Sequence, residues 1–447
     1  MVCPLQESAF FESGALFGRD GRDGMGKVAR MIPSSLIRAL PKTDLHLHLD
    51  GSLRINSLIE MARERNVALP SETEEGLNQL VFRESYANLA EYLHGFQYTC
   101  AVLKDPEALE RAGYELAWDN INEGVRYIEV RFAPQLHTHR SFPLKDVLKS
   151  VDKGLRRAAQ EHRLSDAVAK NGEPPFHYGI IVCAMRFFTG GFSPWFAHLT
   201  DLFQDAPESQ ILSLASSEMA RAAVRIRDSE GLPIVGFDLA GREDGYPAGL
   251  HRQAYDFVHR NFMHKTVHAG EAYGPESIFQ ALTDLHADRI GHGYHLFSPE
   301  LCGADVENPE EYVRRLIRYV GDSRTTIEVC ITSNLQTMPH LNRVEDHAFG
   351  KMLEEKLSAT LCTDNRLVSH TTVSNEIELA VKAFNMNLHQ LRNTIIYGFK
   401  RSFFPGDYTE RRAYVRSIID YYDKHAKHFE ATGEVLPSSV DQTALAS

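Results

Sequence analysis

The stretch KTDLHLHLDGS, Lys42–Ser52, changes chemistry residue by residue. Read as a strand, it turns His46, His48 and Asp50 to one face and Leu45, Leu47 and Leu49 to the other. The leucines bury the strand, so its imidazoles lie where polar groups are costly without partners. Seven more short apolar, β-branched or aromatic runs follow: RYIEVRFAP (126–134), HYGIIVCAMR (177–186), PIVGFDLAG (233–241), HKTVHAGE (264–271), RIGHGYHL (289–296), TTIEVCITSN (325–334) and SATLCTDN (358–365). Between them lie helical patterns such as 105–124 and 308–321, each with capping residues and an apolar stripe. Buried strands alternating with helices predict an α/β fold, and eight such units predict a (β/α)8 TIM-type barrel. The first crossover, 50–125, is long enough for extra helices over the barrel mouth, with Phe82 to Phe96 as an apolar gate. The segment 165–176 reads as a surface loop.

In such a barrel the active site lies at the C-terminal ends of the strands. The polar residues of the eight runs gather at those ends: His48, Asp50, Gly241, His268, Glu271, His292, Ser333, Asn334, Asp364 and Asn365. Two histidines at i and i+2 on one strand bind a single ion with little backbone adjustment. The pair His137 and His139 has the same spacing but falls in an Arg- and Thr-rich loop, where solvated histidine is the expectation. His425 and His428 read as solvated on a polar helix face. With His268 and a carboxylate from LCTDN, the strand pair makes a set dominated by nitrogen, suited to one zinc ion.

The rest of the composition bounds the function. The 447 residues are 43% hydrophobic and 24% charged, ordinary for a globular chain, with a net charge of −12. That sign disfavours a nucleic-acid backbone as partner. No run of about 18 apolar residues exists to span a membrane, and residues 1–33 read as a flexible Gly-rich leader without a signal-peptide core, ahead of a single domain over 34–447. Six cysteines without paired spacing suit a reducing cytoplasm. The signature of cytidine-type zinc deaminases is absent, as are the HExxH and P-loop patterns.

Taken in order, PKTDLHLHLDGSLR, YIEVRFAP, VGFDLAG, TVHAGE, RIGHG, EVCITSNLQT and LCTDN resemble the adenosine deaminase family of the amidohydrolase superfamily, over about residues 38 to 405. The resemblance implies hydrolytic deamination of a 6-aminopurine nucleoside by one zinc ion held by His46, His48, His268 and Asp364. It implies that Glu271 protonates N1 and that His292 orients the attacking water, takes its proton and stabilises the developing oxyanion. Gly241 would offer its N–H to N3, and Asp50 would accept from the ribose 5′-hydroxyl. One departure stands out. The family usually carries Asp-Asp-Pro where this chain reads Asp364-Asn365-Arg366. An Asn amide donates at any pH, so Asn365 still suits purine N7. Two readings stay open: adenosine itself, or a modified 6-aminopurine bearing an acid that Arg366 or Arg54 meets. A two-metal variant is disfavoured, since the fourth strand lacks the bridging lysine such enzymes carry. Oligomeric state is not legible.

Overall fold

Eight parallel strands are hydrogen-bonded in chain order: β1 (Lys42–His48), β2 (Val125–Phe132), β3 (His177–Met185), β4 (Ile234–Ala240), β5 (His264–Ala269), β6 (Arg289–His292), β7 (Thr326–Val329) and β8 (Ala359–Leu361). The computed structural model describes residues 31–338 and 340–440. The chain divides into units Met1–Met31 and Ile32–Ser447, and the second holds every element described below. Of the expected leader, residues 1–30 lie outside the described residues.

Each of the eight expected strands forms, and β1 and β2 are buried along their whole length. The ring closes where β8 runs into β1: Leu47 bridges Asp364, His48 N–H donates to the Asp364 carbonyl (2.8 Å) and Asp364 N–H to the His46 carbonyl (2.8 Å). This closure carries Asp364 to the two histidines of β1, 316 to 318 residues earlier in the chain. The helices start where their caps dictate. Asp105 accepts from Ala108 N–H (2.9 Å) with Pro106 behind it, and Asn308 accepts from Glu311 N–H (3.1 Å) with Pro309 behind it. Four short helices, Ile55–Glu64, Glu74–Leu80, Leu89–Leu93 and Phe96–Val102, fill the long first crossover as expected.

Three expectations need correction. Residues 165–176 are not a plain surface loop: Asp166–Ala169 is a helical turn, and Glu173 is buried against Arg126 (2.5 Å). Strand β7 stops at Val329, and Ser333 and Asn334 lie on a following helix, Ile331–Thr337. His425 is buried on the helix Tyr408–Thr432 rather than solvated, and His428 is half-buried.

Helices Pro106–Asn122 and Leu144–Leu164 meet at two glycines. A Cβ on Gly154 would stand 2.0 Å from the Glu110 carbonyl oxygen, and one on Gly113 would stand 2.8 Å from that of Val151. Backbone against backbone cannot give way by a rotamer change. Alanine gains about 1 kcal/mol of helix propensity over glycine, and overpacking costs about 1–3 kcal/mol or more. Gly154→Ala is therefore expected to lower the urea midpoint, with a net loss of about 2 kcal/mol.

Candidate active site

The barrel interior holds a buried charge network that aims the histidines. His46 Nδ1 meets Glu328 (3.0 Å) and His268 Nδ1 meets Asp238 (3.0 Å). Arg131, fully buried, joins the two carboxylates at 2.7 Å from Glu328 and 3.1 Å from Asp238. Arg289 and Thr266 also donate to Glu328, at 2.6 and 3.0 Å, and Arg289 reaches on to Glu129. Against the upward pull of burial, the surrounding cations hold Asp238 and Glu328 well below the usual carboxylate range. Each carboxylate accepts a hydrogen bond from the Nδ1–H of its histidine, which leaves the Nε2 lone pair facing the pocket.

Those lone pairs converge. His46, His48, His268 and Asp364 each offer one ligand atom within 4.8 Å of the other three. His48 Nε2 is 3.3 Å from His268 Nε2, and Asp364 Oδ1 lies 3.5 and 3.4 Å from the Nε2 atoms of His46 and His48. His46 Nε2 is buried without a hydrogen bond, an orphan of the kind a metal satisfies. Burial lowers the His48 pKa to about 3, so its imidazole is neutral and ready to ligate. Ser333 Oγ donates to the other oxygen of Asp364 (2.7 Å) and turns the carboxylate inward. Three imidazoles and one carboxylate fit a divalent cation.

Glu271 stands beside this cluster. Its Oε1 is 3.6 Å from His292 Nε2. Burial, with Asp364 and Glu243 nearby, pushes its carboxyl well above the usual range. The loop carrying it is held by Glu243, whose carboxylate accepts from the backbone N–H groups of Gly270 (3.0 Å), Glu271 (3.0 Å), Ala272 (2.7 Å) and Tyr273 (3.1 Å). Glu243 escaped the sequence reading, although it follows Gly241 by two residues at the rim. His292 and Asp364 have φ of +63° and +59°, and Gly241 has +94°. Left-handed backbone costs a non-glycine residue about 1 kcal/mol or more and clusters at functional sites.

The remaining predicted residues gather at the same rim. Asp50 is buried 3.4 Å from His137 Nε2, and it caps no helix, since the next one begins at Ile55 with Arg54 before it. His137 is thus buried and its Nδ1 donates to the Leu103 carbonyl (3.1 Å), whereas His139 is exposed; the expectation of two solvated histidines holds for one. Asn365 Nδ2 donates to the Tyr92 hydroxyl (2.8 Å), which also bonds Ser369 (2.8 Å). Tyr92 belongs to the expected gate segment, where it is buried and tied to Asn365 and Ser369.

Arg366 and Arg54 are not free to meet a substrate acid. Arg366 is bound to Glu123 (2.5 Å) and Asn120 (3.2 Å), and Arg54 is clamped on Asp119 (2.6 Å). Arg366→Ala strands the buried Glu123 carboxylate. It should cost about 2–3 kcal/mol in urea unfolding while leaving the order of preference among purine substrates unchanged.

The family model described as adenosine deaminase matches residues 41–189 and 209–421. The unmatched interval includes helix Pro194–Leu202, which packs its own aromatic cluster, with Phe188 stacked on Phe196 at 4.1 Å. Adenosine deaminase 1 of Streptomyces coelicolor is 36% identical over 388 residues, 86% of this chain and 87% of that protein. The adenosine deaminase of Mycobacterium avium is 32% identical over 386 residues, 86% of this chain and 95% of that one. Among solved structures, an Arabidopsis N6-methyl-AMP deaminase superposes with a TM-score of 0.65 at 24% identity, covering 86% of this chain and 98% of that one. A zinc-bound amidohydrolase from Burkholderia ambifaria superposes with a TM-score of 0.66 at 20% identity, covering 91% and 97%. The chain belongs to the adenosine deaminase family, hydrolytic enzymes that act on carbon–nitrogen bonds.

Proposed function

We propose that the chain is a zinc-dependent deaminase of a 6-aminopurine nucleoside, converting adenosine and water to inosine and ammonia. One observation carries this reading: inward-facing imidazole nitrogens and a carboxylate converge beside a buried glutamic acid, 3.6 Å from His292, whose carboxyl burial pushes well above the usual range. His46, His48, His268 and Asp364 would hold one zinc ion per chain, since nitrogen donors in the majority suit zinc. When bound, the ion supplies a water that ionises near pH 7 and so becomes nucleophilic at neutral pH.

The chain's own groups do the rest. Glu271 gives its proton to N1 as C6 becomes tetrahedral, so charge does not build on the ring. His292 faces the same space and stabilises charge on the attacking oxygen. Gly241 offers its N–H to N3, and its lack of a side chain permits the approach; a Cβ there would press on Met185 at 3.2 Å. Asn365 has a second amide hydrogen beyond the one given to Tyr92, and this one serves N7. Asp50 accepts from the 5′-hydroxyl and repels a 5′-phosphate. With Arg366 and Arg54 already paired, neither is free to favour an acidic substituent. The partner is then a small purine nucleoside, and five free cysteines among the described residues suit a reducing cytoplasm. No helix among those residues is long and apolar enough to cross a membrane.

Ammonia release from adenosine, 2′-deoxyadenosine, N6-methyladenosine and AMP tests the substrate. Adenosine or its deoxy form should lead AMP and N6-methyladenosine in kcat/KM by at least about tenfold. A lead by either of the other two would overturn the choice of adenosine.

A further inference from the structure

We infer that His292 carries its single proton on Nε2, held there by a buried relay through Asn334 and His347, and acts toward the attacking oxygen as a hydrogen-bond donor and not as its base. The inference deepens the deaminase reading above and borrows from it only the identity of what Nε2 meets.

The relay begins at an atom whose role is beyond choice. The backbone N–H of Phe349 points at His347 Nδ1, 3.0 Å away. A backbone N–H only donates, so Nδ1 must be the lone-pair nitrogen. Burial keeps His347 neutral, with a pKa lowered to about 3. Its one proton therefore sits on Nε2, 3.1 Å from Asn334 Oδ1, which accepts it. That contact orients an amide whose two ends are otherwise alike in shape. The Asn334 nitrogen must then face His292 Nδ1, at 3.2 Å. An amide nitrogen has hydrogens and no lone pair to offer, so His292 Nδ1 accepts. All three side chains are buried. The proton of neutral His292 is left on Nε2, the nitrogen that lies 3.6 Å from Glu271 Oε1 and faces the pocket.

The consequence separates two roles that the family resemblance joins. A base needs a lone pair on Nε2, hence a proton on Nδ1, hence an acceptor facing Nδ1. Supplying that acceptor means turning the Asn334 amide over, which sets its N–H against the N–H of His347. Two donors would face each other in a buried site, and each would lose a hydrogen bond. The relay thus locks His292 as a donor. It gains and loses no proton in turnover, and Asn334 and His347 are positioning residues that act through it.

The test is long-range 15N–1H correlation spectroscopy on the full chain labelled at histidine and loaded with zinc. His292 is assigned by the signal that vanishes in His292→Asn. The expected spectrum has a pyridine-type Nδ1 and a pyrrole-type Nε2; a pyrrole-type Nδ1 in the parent chain overturns the inference. Asn334→Asp replaces the amide with two acceptors, so Nδ1 should become pyrrole-type. In the same variant kcat should fall about a hundredfold with KM little changed, the loss typical of removing one donor to a developing oxyanion. An unchanged kcat alongside a converted Nδ1 overturns the donor role. Should that variant fail to fold, His347→Phe removes the group that orients the amide. The His292 signal should then broaden or split, and an unchanged single tautomer overturns the relay. The spectrum reads the tautomer whether or not adenosine is turned over, so failure on every purine removes the substrate assignment without touching this one.

Discussion

Glu271→Gln should lower turnover of adenosine at least about a hundredfold while metal content and fold stay intact. The side chain is buried beside the four converging ligand atoms, and its backbone is held by the Glu243 carboxylate rather than by its own carboxyl. Glutamine fills the same volume and preserves the loop, but it has no proton to give N1. The pH profile follows from the same environment. Burial, with Asp364 and Glu243, raises the carboxyl well above its usual range. Activity that depends on its proton is complete below that raised value and disappears as pH climbs through it. The parent chain should show this alkaline limb in kcat/KM, and the residual rate of Glu271→Gln should lack it. A variant that turns adenosine over at the parent rate would show that some other group protonates the ring.

Arg131→Met carries the largest expected loss of stability. Breaking a buried ion pair by removing one partner costs about 3–5 kcal/mol, and Arg131 serves two acids that remain, Glu328 and Asp238. Both carboxylates sit below their ordinary range when folded, so their contribution to stability is present above about pH 4 and fades as pH falls toward the depressed values. Without the guanidinium their depression shrinks. The variant should lose most at neutral pH, and its stability should depend less steeply on acid. It should also bind metal more weakly, because the same two acids orient His46 and His268. Urea unfolding at two pH values measures the first effect and metal titration the second. Equal losses at both pH values would mean that Arg131 matters for packing alone.

Much of this is legible in the sequence alone. KTDLHLHLDGS announces a buried strand with a polar face, and the eight apolar runs locate the barrel strands, because side chains in a parallel sheet must be apolar on both surfaces except where chemistry is done. What escaped depended on distance along the chain. Arg366 reads as a free cation because its partner Glu123 lies 243 residues earlier. His137 reads as a loop histidine until the helix Phe96–Val102 and its following turn cover it with the Leu103 carbonyl. The TSN motif extends an apolar run, so it reads as strand, yet β7 ends at Val329 and the chain turns into a helix that aims Ser333 at Asp364 and Asn334 at His292. The sequence carries one further signal. Glu129, Arg131, Asp238, Arg289 and Glu328 all lie inside or at the edge of apolar strands, and charges placed there must find one another. They are the network that orients His46 and His268.

Metal bound per chain, measured by inductively coupled plasma mass spectrometry on the parent and on His268→Ala in one preparation, bears most directly on the whole reading. One zinc equivalent in the parent and almost none in the variant is the expected result. Two equivalents in the parent, or one retained after His268 is removed, would mean that these side chains do not share a single ion.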